Sequence, residues 1–235
     1  MRKYFISLMA TALLLAGPVF ADGYIASYTL NVKDAMSFVK EMDNLMASDW
    51  GKSFPGHVEV AHHAFDGTNE ASHSVIMNYA NEADMAAGTS AFYTAPFGEF
   101  LAKVSDYSEG VENGLFEKLV TGGDLSPEKN MAAQVFFMKI EDPIKYAKLY
   151  TKLVKAQEQA GRIDGAYGLR ALVAGDNSGY THYAFIGSSN LQVTLENRKD
   201  LFSSEVFKTF NKQVAGNREV VSTQLDVIIR SYAKK

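Results

Sequence analysis

Cysteine is absent from the 235 residues, which excludes disulfides, thiolate metal sites, cysteine nucleophiles and iron–sulfur clusters. It also removes the lipid-attachment cysteine that a bacterial lipoprotein needs. An excess of positive charge is absent too: 23 Lys and Arg stand against 27 Asp and Glu, for a formal net charge of −4. Phosphate binding needs a concentrated positive surface, so no nucleic-acid partner is expected. The chain has no G-x-G-x-x-G and no G-x-x-x-x-G-K, hence no phosphate-cradling loop, and no H-E-x-x-H. No serine or threonine stands in a G-x-S-x-G elbow.

What is present is apolar material: 47% of positions are hydrophobic, enough for a substantial core. The first residues read Met1-Arg2-Lys3, then an apolar stretch from Tyr4 to Ala16, then Gly17-Pro18-Val19-Phe20-Ala21. A basic start, an apolar middle, a helix breaker and a small residue at the cut are the parts of a signal peptide. Residues 1–21 are therefore expected to be removed, leaving Asp22 first. The apolar run is shorter than the roughly 20 residues that span a bilayer. No later segment is long and apolar enough either, so no membrane association is expected after cleavage. The expected product is soluble and exported, in a bacterial periplasm, and without disulfides it must be stable through its core alone.

The mature chain reads as two copies of one unit. Leu30-Asn31-Val32-Lys33-Asp34-Ala35 stands beside Met138-Lys139-Ile140-Glu141-Asp142-Pro143, each a strand end running into a helix with Asp34 or Asp142 as cap. Phe38, Met42 and Leu45 correspond to Tyr146, Tyr150 and Leu153, spaced as one buried helix face. Ser72-His73-Ser74 resembles Thr181-His182-Tyr183, and Phe92, Phe97, Phe100 and Val104 fall in register with Phe202, Phe207, Phe210 and Val214. In the first unit the predicted strands are Tyr24–Val32, His57–Phe65, His73–Tyr79 and Val111–Leu119. The predicted helices are Ala35–Ala47 and Glu82–Val104, the second broken near Pro96. The units span 22–120 and 131–235, joined by a polar linker at 121–130.

A β-α-β-β-α-β order is the ferredoxin-like split unit, with both helices on one face of an antiparallel sheet. The predicted class is α+β: tandem ferredoxin-like repeats whose antiparallel sheets pack face to face as a pseudo-dimeric α/β barrel. The apolar, non-alternating Val135-Phe136-Phe137-Met138 and Val227-Ile228-Ile229 support strands buried on both sides. In element order and duplication the chain resembles the dimeric α/β-barrel superfamily, with both halves fused. That superfamily includes small antibiotic-biosynthesis-type monooxygenases, haem-degrading enzymes and chlorite dismutase-like proteins. The resemblance covers nearly all of the mature chain but carries no catalytic signature, so it implies a fold and a ligand cavity between the sheets rather than a reaction.

Strand parity nominates the residues of such a cavity. Tyr28, Leu30 and Val32 are expected to meet the helices, which leaves Ser27, Thr29 and Asn31 facing the cavity. On the last strand Gln224, Asp226 and Arg230 share a side; either they face the cavity or they face solvent. Four of the five histidines lie close together in sequence: His57, His62, His63 and His73. A hairpin symmetric about Thr68 places His63 opposite His73, with side chains roughly 5 Å apart at Cβ. A slip of one residue gives His62 that place. Glu59, on the side of His63, is a third candidate metal ligand, but no spacing of a known metal site is present and none is predicted. Haem ligation by one of these histidines rests on the same observations. His182 is the second-unit counterpart of His73, whereas Leu172 stands where the first unit has His63. The single Trp50 either stacks on a ligand at a cavity mouth or closes the end of a core. Phe92, Tyr93, Phe97 and Phe100 are expected in the core.

Three functions fit this reading. The first is an exported binding or accessory protein holding a small, largely apolar molecule between its sheets. The second is an oxygenase-like enzyme, cofactor-independent or haem-using, acting through His63 or His73 with Asn31 or Trp50. The third is an interaction module with a filled core. Monomer and homo-oligomer are both left open.

Overall fold

The computed structural model describes residues 23–67, 69–175 and 179–233. The expected signal peptide at 1–21 and the hairpin centre Thr68 lie outside the described residues. The first half runs β1 (Tyr24–Val32), α1 (Ala35–Ala47), α2 (Asp49–Ser53), β2 (His57–Phe65), β3 (His73–Tyr79), α3 (Glu82–Ala91), α4 (Ala95–Val104) and β4 (Ser108–Gly123). After a 3-10 turn at Pro127–Lys129, the second runs β5 (Ala132–Ile140), α5 (Pro143–Gln159), β6 (Ala166–Gly175), β7 (His182–Ser188), α6 (Leu191–Ser203), α7 (Glu205–Gln213) and β8 (Arg218–Tyr232). Among the described residues, no helix is long and apolar enough to cross a membrane.

Local chemistry sets the element ends. Asp34 caps α1 by accepting from the Ser37 N–H at 3.1 Å, and Asp142 caps α5 by accepting from Lys145 at 2.9 Å, each satisfying an N–H left free by the helix start. The long helix expected over 82–104 is two helices. Pro96 stands in the first turn of α4, where its missing N–H costs nothing. That break also corrects the expectation for Tyr93, which lies in the turn between the helices and is 87% exposed.

Instead of two sheets lying face to face, the eight strands form one closed antiparallel barrel in the order β1-β3-β2-β8-β5-β7-β6-β4. A ferredoxin-like half ends in two edge strands, each with unpaired backbone N–H and C=O groups. Here β2 pairs with β8 and β4 with β6, so no edge remains among the described strands. This seam explains why β4 runs over 16 residues and β8 over 15: each pairs on one side within its own half and on the other across the seam. Gly114–Gly123 of β4, which runs four residues past the strand end expected at Leu119, pairs with β6.

The helices cover the outer wall. Phe38, Met42 and Leu45 of α1 and Phe100 and Val104 of α4 pack on Val58, Val60, Val75 and Met77. In the second half Tyr146, Tyr150, Leu153 and Val154 pack with Leu169, Ala184, Leu201 and Phe210. One bulge changes the parity of β8. Ala61 pairs with Ile228 but Val60 pairs with Arg230, so Ile229 is the extra residue, and the strand turns over beyond it. Arg230 therefore leaves the lumen side. Its Nε donates to Asp43 on α1 at 3.0 Å, which removes it from the candidate ligand-binding set.

Leu169 is fully buried on β6 at the closing seam. Leu169→Ala is expected to lower the unfolding free energy by about 2–5 kcal/mol, read from urea unfolding followed by circular dichroism. A change below ~1 kcal/mol would mean that the seam is not packed as described.

Candidate functional site

Alternation along the strands sends one set of side chains into the barrel. Ser27 and Thr29 (β1), His63 (β2), Ser74 and Ile76 (β3), Phe116 (β4), Val135 and Phe137 (β5), Tyr183 (β7), and Gln224 and Asp226 (β8) line a lumen cavity of about 400 Å³. Ser27, Thr29, Gln224 and Asp226 border this cavity; for Gln224 and Asp226 parity alone leaves cavity and solvent equally open. Asn31 does not line it. It lies past the last β1–β3 pair, Leu30↔His73, and is paired with Glu109 at the rim. The lumen is also not the apolar space expected between the sheets: Asp66, Asn69, Glu112 and Asn113 stand at its mouth.

The histidines separate. The hairpin register is slipped by one from the symmetric case, so His62 pairs with His73 and their ring centroids are 5.1 Å apart. His62 is exposed and His73 buried, both on the outer side. His63 points into the lumen opposite Asp226, with Nε2 at 2.7 Å from Ser74 Oγ and Nδ1 at 3.1 Å from the Ala71 carbonyl. Glu59 also faces inward, with its carboxylate 3.2 Å from His57 Nε2. His63 and His73 lie on opposite faces of the wall and cannot share a metal ion. Among the described residues no group of three His, Asp or Glu side chains is placed to hold one. Neither the lumen nor the space under the helices of the first half brings His63 or His73 together with Asn31 or Trp50 as a catalytic set: His63 borders the former, Trp50 the latter, and His73 and Asn31 line neither.

His73 and His182 play matching structural parts. Nδ1 of each meets the hydroxyl of the preceding residue, Ser72 at 2.9 Å and Thr181 at 2.8 Å. Those hydroxyls accept from the N–H groups of Val32 and Ile140. Burial, the larger cause, pulls His73 down to about 4, with repulsion from His62 and His63 adding to it; burial alone pulls His182 down to about 4.

At the other end of the barrel sit two buried cations that the sequence did not single out. Lys118 Nζ donates to the Tyr79 carbonyl at 2.6 Å. Burial, then the nearby Arg170, pulls it down to about 8. Arg170 is buried, donates to the Val120 and Leu169 carbonyls, and lies 5.2 Å over the Phe185 ring. Its Nε has no partner among the described residues. The signal was a lone Arg inside the apolar run Ala166-Tyr167-Gly168-Leu169-Arg170-Ala171-Leu172-Val173. Burial holds Asp226 above the ordinary carboxylate value, to about 6, against the opposing effects of His63 and of the Gln224 amide 2.6 Å away.

An apolar cavity lies outside the barrel. About 470 Å³ opens between α1, α2, α4 and the outer wall of the first half. Tyr28, Met42, Trp50, Met77, Phe92 and Phe97 line it. Trp50 stacks on Phe54 at 4.9 Å and Phe97 at 5.5 Å, and its Nε1 donates to the Ala91 carbonyl at 3.1 Å. Those contacts hold the ring in place by stacking and by its edge. The corresponding space of the second half is about 270 Å³.

None of these spaces fits a haem. The apolar cavity has no His for an axial ligand and no Arg or Lys for propionates. Burial raises the Tyr28 phenol, which disfavours the phenolate that would bind iron. The second-half space supplies Arg198 and Arg218 but no His. In the lumen both ring nitrogens of His63 are engaged.

No family model matches the chain, and no curated protein matches it. Solved structures do. A "putative monooxygenase" from Lactobacillus acidophilus aligns with a TM-score of 0.60 at 10% identity, covering 90% of this chain and 96% of that one. An anthrone oxidase-like protein aligns at 0.57 and 9% identity, covering 89% and 92%. A mutant form of the chlorite dismutase of Candidatus Nitrospira defluvii aligns at 0.53 and 10% identity, covering 89% and 92%. At these identities the likeness shows the fold alone, of the dimeric α/β-barrel type.

The histidine shifts carry a stability prediction. An unfolded histidine takes up its proton near 6.5, whereas His73 and His182 resist until about 4, so the unfolded chain binds more protons between those values. Their contribution is complete above 6.5 and is lost as pH falls towards 4. Asp226 has the opposite sign: its raised value favours the folded state below 3.8, and this is lost as pH rises through about 6. Two histidines outweigh one carboxyl. Urea unfolding is expected to show stability declining from about pH 7 to about pH 4.5, with a shallower decline in His182→Asn; a flat profile contradicts the assignment.

Proposed function

We propose that this chain, which has the dimeric α/β-barrel fold, holds a small, largely apolar molecule between the helices and the outer wall of its first half. The cavity of about 470 Å³ carries the reading, since concave, mostly apolar clefts of roughly 300–1,000 Å³ with few polar groups are where proteins bind small molecules. Flat rings from Trp50, Phe92 and Phe97 favour an aromatic or polycyclic ligand. The Tyr28 hydroxyl, kept protonated by burial, is the polar group that would orient it. On this reading the ligand sits behind the wall rather than between the sheets, because the lumen mixes aromatic rings with the charged and amide groups of Asp66, Asn69, Glu112 and Asp226.

Oxygen-dependent turnover of that ligand is the second reading, favoured by the fold likeness to structures named as monooxygenase and anthrone oxidase-like. Its sign would be dioxygen uptake on ligand addition. The Ser72-His73 and Thr181-His182 devices and the repeated element order support descent of both halves from one copied unit. The leader-like start, Met1 to Ala21, supports export to a periplasm.

Trp50 is the only tryptophan, so its fluorescence reports on this cavity alone. Titration with the neutral probe N-phenyl-1-naphthylamine is expected to quench it saturably. Val75→Phe, which fills the cavity from the wall, should weaken binding at least about tenfold, or ~1.4 kcal/mol. Quenching that does not saturate, or that is unchanged in Val75→Phe, would overturn the proposal.

A further inference from the structure

The lumen holds a constellation that the apolar cavity does not use. Ser74 Oγ lies 2.7 Å from His63 Nε2, and the other nitrogen of that ring faces the Ala71 carbonyl at 3.1 Å and Asp66 Oδ2 at 3.5 Å. A carbonyl oxygen only accepts, so Nδ1 carries the proton and the Nε2 lone pair receives the Ser74 O–H. This is the tautomer a general base needs. A hydroxyl on one side of an imidazole and a carboxylate on the other is the arrangement by which unrelated folds activate serine, recognised by geometry rather than by motif. Ser74 and His63 are 5% and 6% exposed, held by β3 and β2, yet both border the lumen cavity together with Asp66.

We propose that Ser74 is an acyl-transfer nucleophile with His63 as its general base and Asp66 as a positioning residue, acting on a small neutral carboxylic ester with an aromatic or apolar alcohol. Ser74 Oγ attacks the ester carbonyl carbon as His63 Nε2 takes its proton. Collapse of the tetrahedral intermediate breaks the bond to the alcohol, which leaves with that proton. Water, deprotonated by the same nitrogen, then attacks the acyl-serine; the bond between the acyl carbon and Ser74 Oγ breaks, Nε2 returns the proton to Oγ and the acid is released, so water is the only co-reactant. Ser27 and Asn113 border the cavity with O–H and N–H donors for the oxyanion. Phe116, Phe137 and Tyr183 supply the aromatic side. The carboxylates of Asp66, Glu112 and Asp226 border the same space and exclude anionic substrates by repulsion.

The test is labelling of the full chain with a fluorophosphonate probe, alongside hydrolysis of p-nitrophenyl acetate. The expected result is one adduct, on Ser74, and hydrolysis that Ser74→Ala abolishes and His63→Gln lowers about 100-fold or more. Asp66→Asn should lower kcat about tenfold with KM unchanged. A folded wild type with no adduct on Ser74, or a Ser74→Ala variant that hydrolyses as fast, would overturn the proposal. If Ser74→Ala does not fold, Ser74→Cys supplies the chain's only thiol. Its alkylation by iodoacetamide should slow at least about tenfold when His63→Gln is added, and equal rates would overturn the role of His63.

Discussion

Closure of the barrel is the constraint on which the other features depend. Each half, taken alone, would leave β2 and β4, or β6 and β8, with a row of unpaired backbone groups. Pairing β2 with β8 and β4 with β6 satisfies all of them at once. It also creates an inside and an outside. From then on, the two-residue alternation of every strand decides whether a side chain meets the lumen or the helices. A single extra residue, Ile229, is enough to move Arg230 from one environment to the other.

Two cavities of different chemistry follow from one wall. Tyr28 and Thr29 are neighbours in sequence, yet one borders the apolar space under the helices and the other the lumen, where rings and polar groups mix. The apolar space suits a ligand held by burial and ring contacts. The lumen suits chemistry, because a hydroxyl, an imidazole and carboxylates border one space. Its charges are also divided along the axis: Lys118 and Arg170 lie towards one end, while Asp66 and Glu112 border the other. Carbonyls and a ring, rather than carboxylates, satisfy the buried cations.

The two halves share a plan but not its contents. Tyr146 and Tyr150 stand where the first half has Phe38 and Met42. The Tyr150 hydroxyl reaches inward to within 3.1 Å of the Gly168 and Phe185 carbonyls. Larger, tethered rings leave a smaller space under the second pair of helices, and Arg198 and Arg218 line it as well. In the lumen the asymmetry is sharper, since Leu172 occupies the counterpart of His63. Any site in the lumen therefore belongs to the first half's wall, completed by β5, β7 and β8 of the second.

Much of the fold was legible in the sequence because it is written in short-range chemistry. Asp34 and Asp142 announce helix starts, and Phe38, Met42 and Leu45 announce a buried face. Alternation put Ser27 and Thr29 on one side of β1 and Gln224 and Asp226 on one side of β8, without deciding between cavity and solvent for the latter pair. What escaped depended on a one-residue count at a distance. The hairpin slip gave His62 rather than His63 to His73, the bulge at Ile229 carried Arg230 outward, and the seam turned two layers into a closed ring. Ser74 was overlooked beside His73 because only the slipped register brings its hydroxyl to the imidazole of His63. By itself the sequence determined which segments are strands and helices and which faces are apolar, since these depend on neighbours within a few residues. Only the tertiary structure decided which side chains meet, because register and closure are set by backbone pairing between segments up to about two hundred residues apart, where one residue of slip reverses every face.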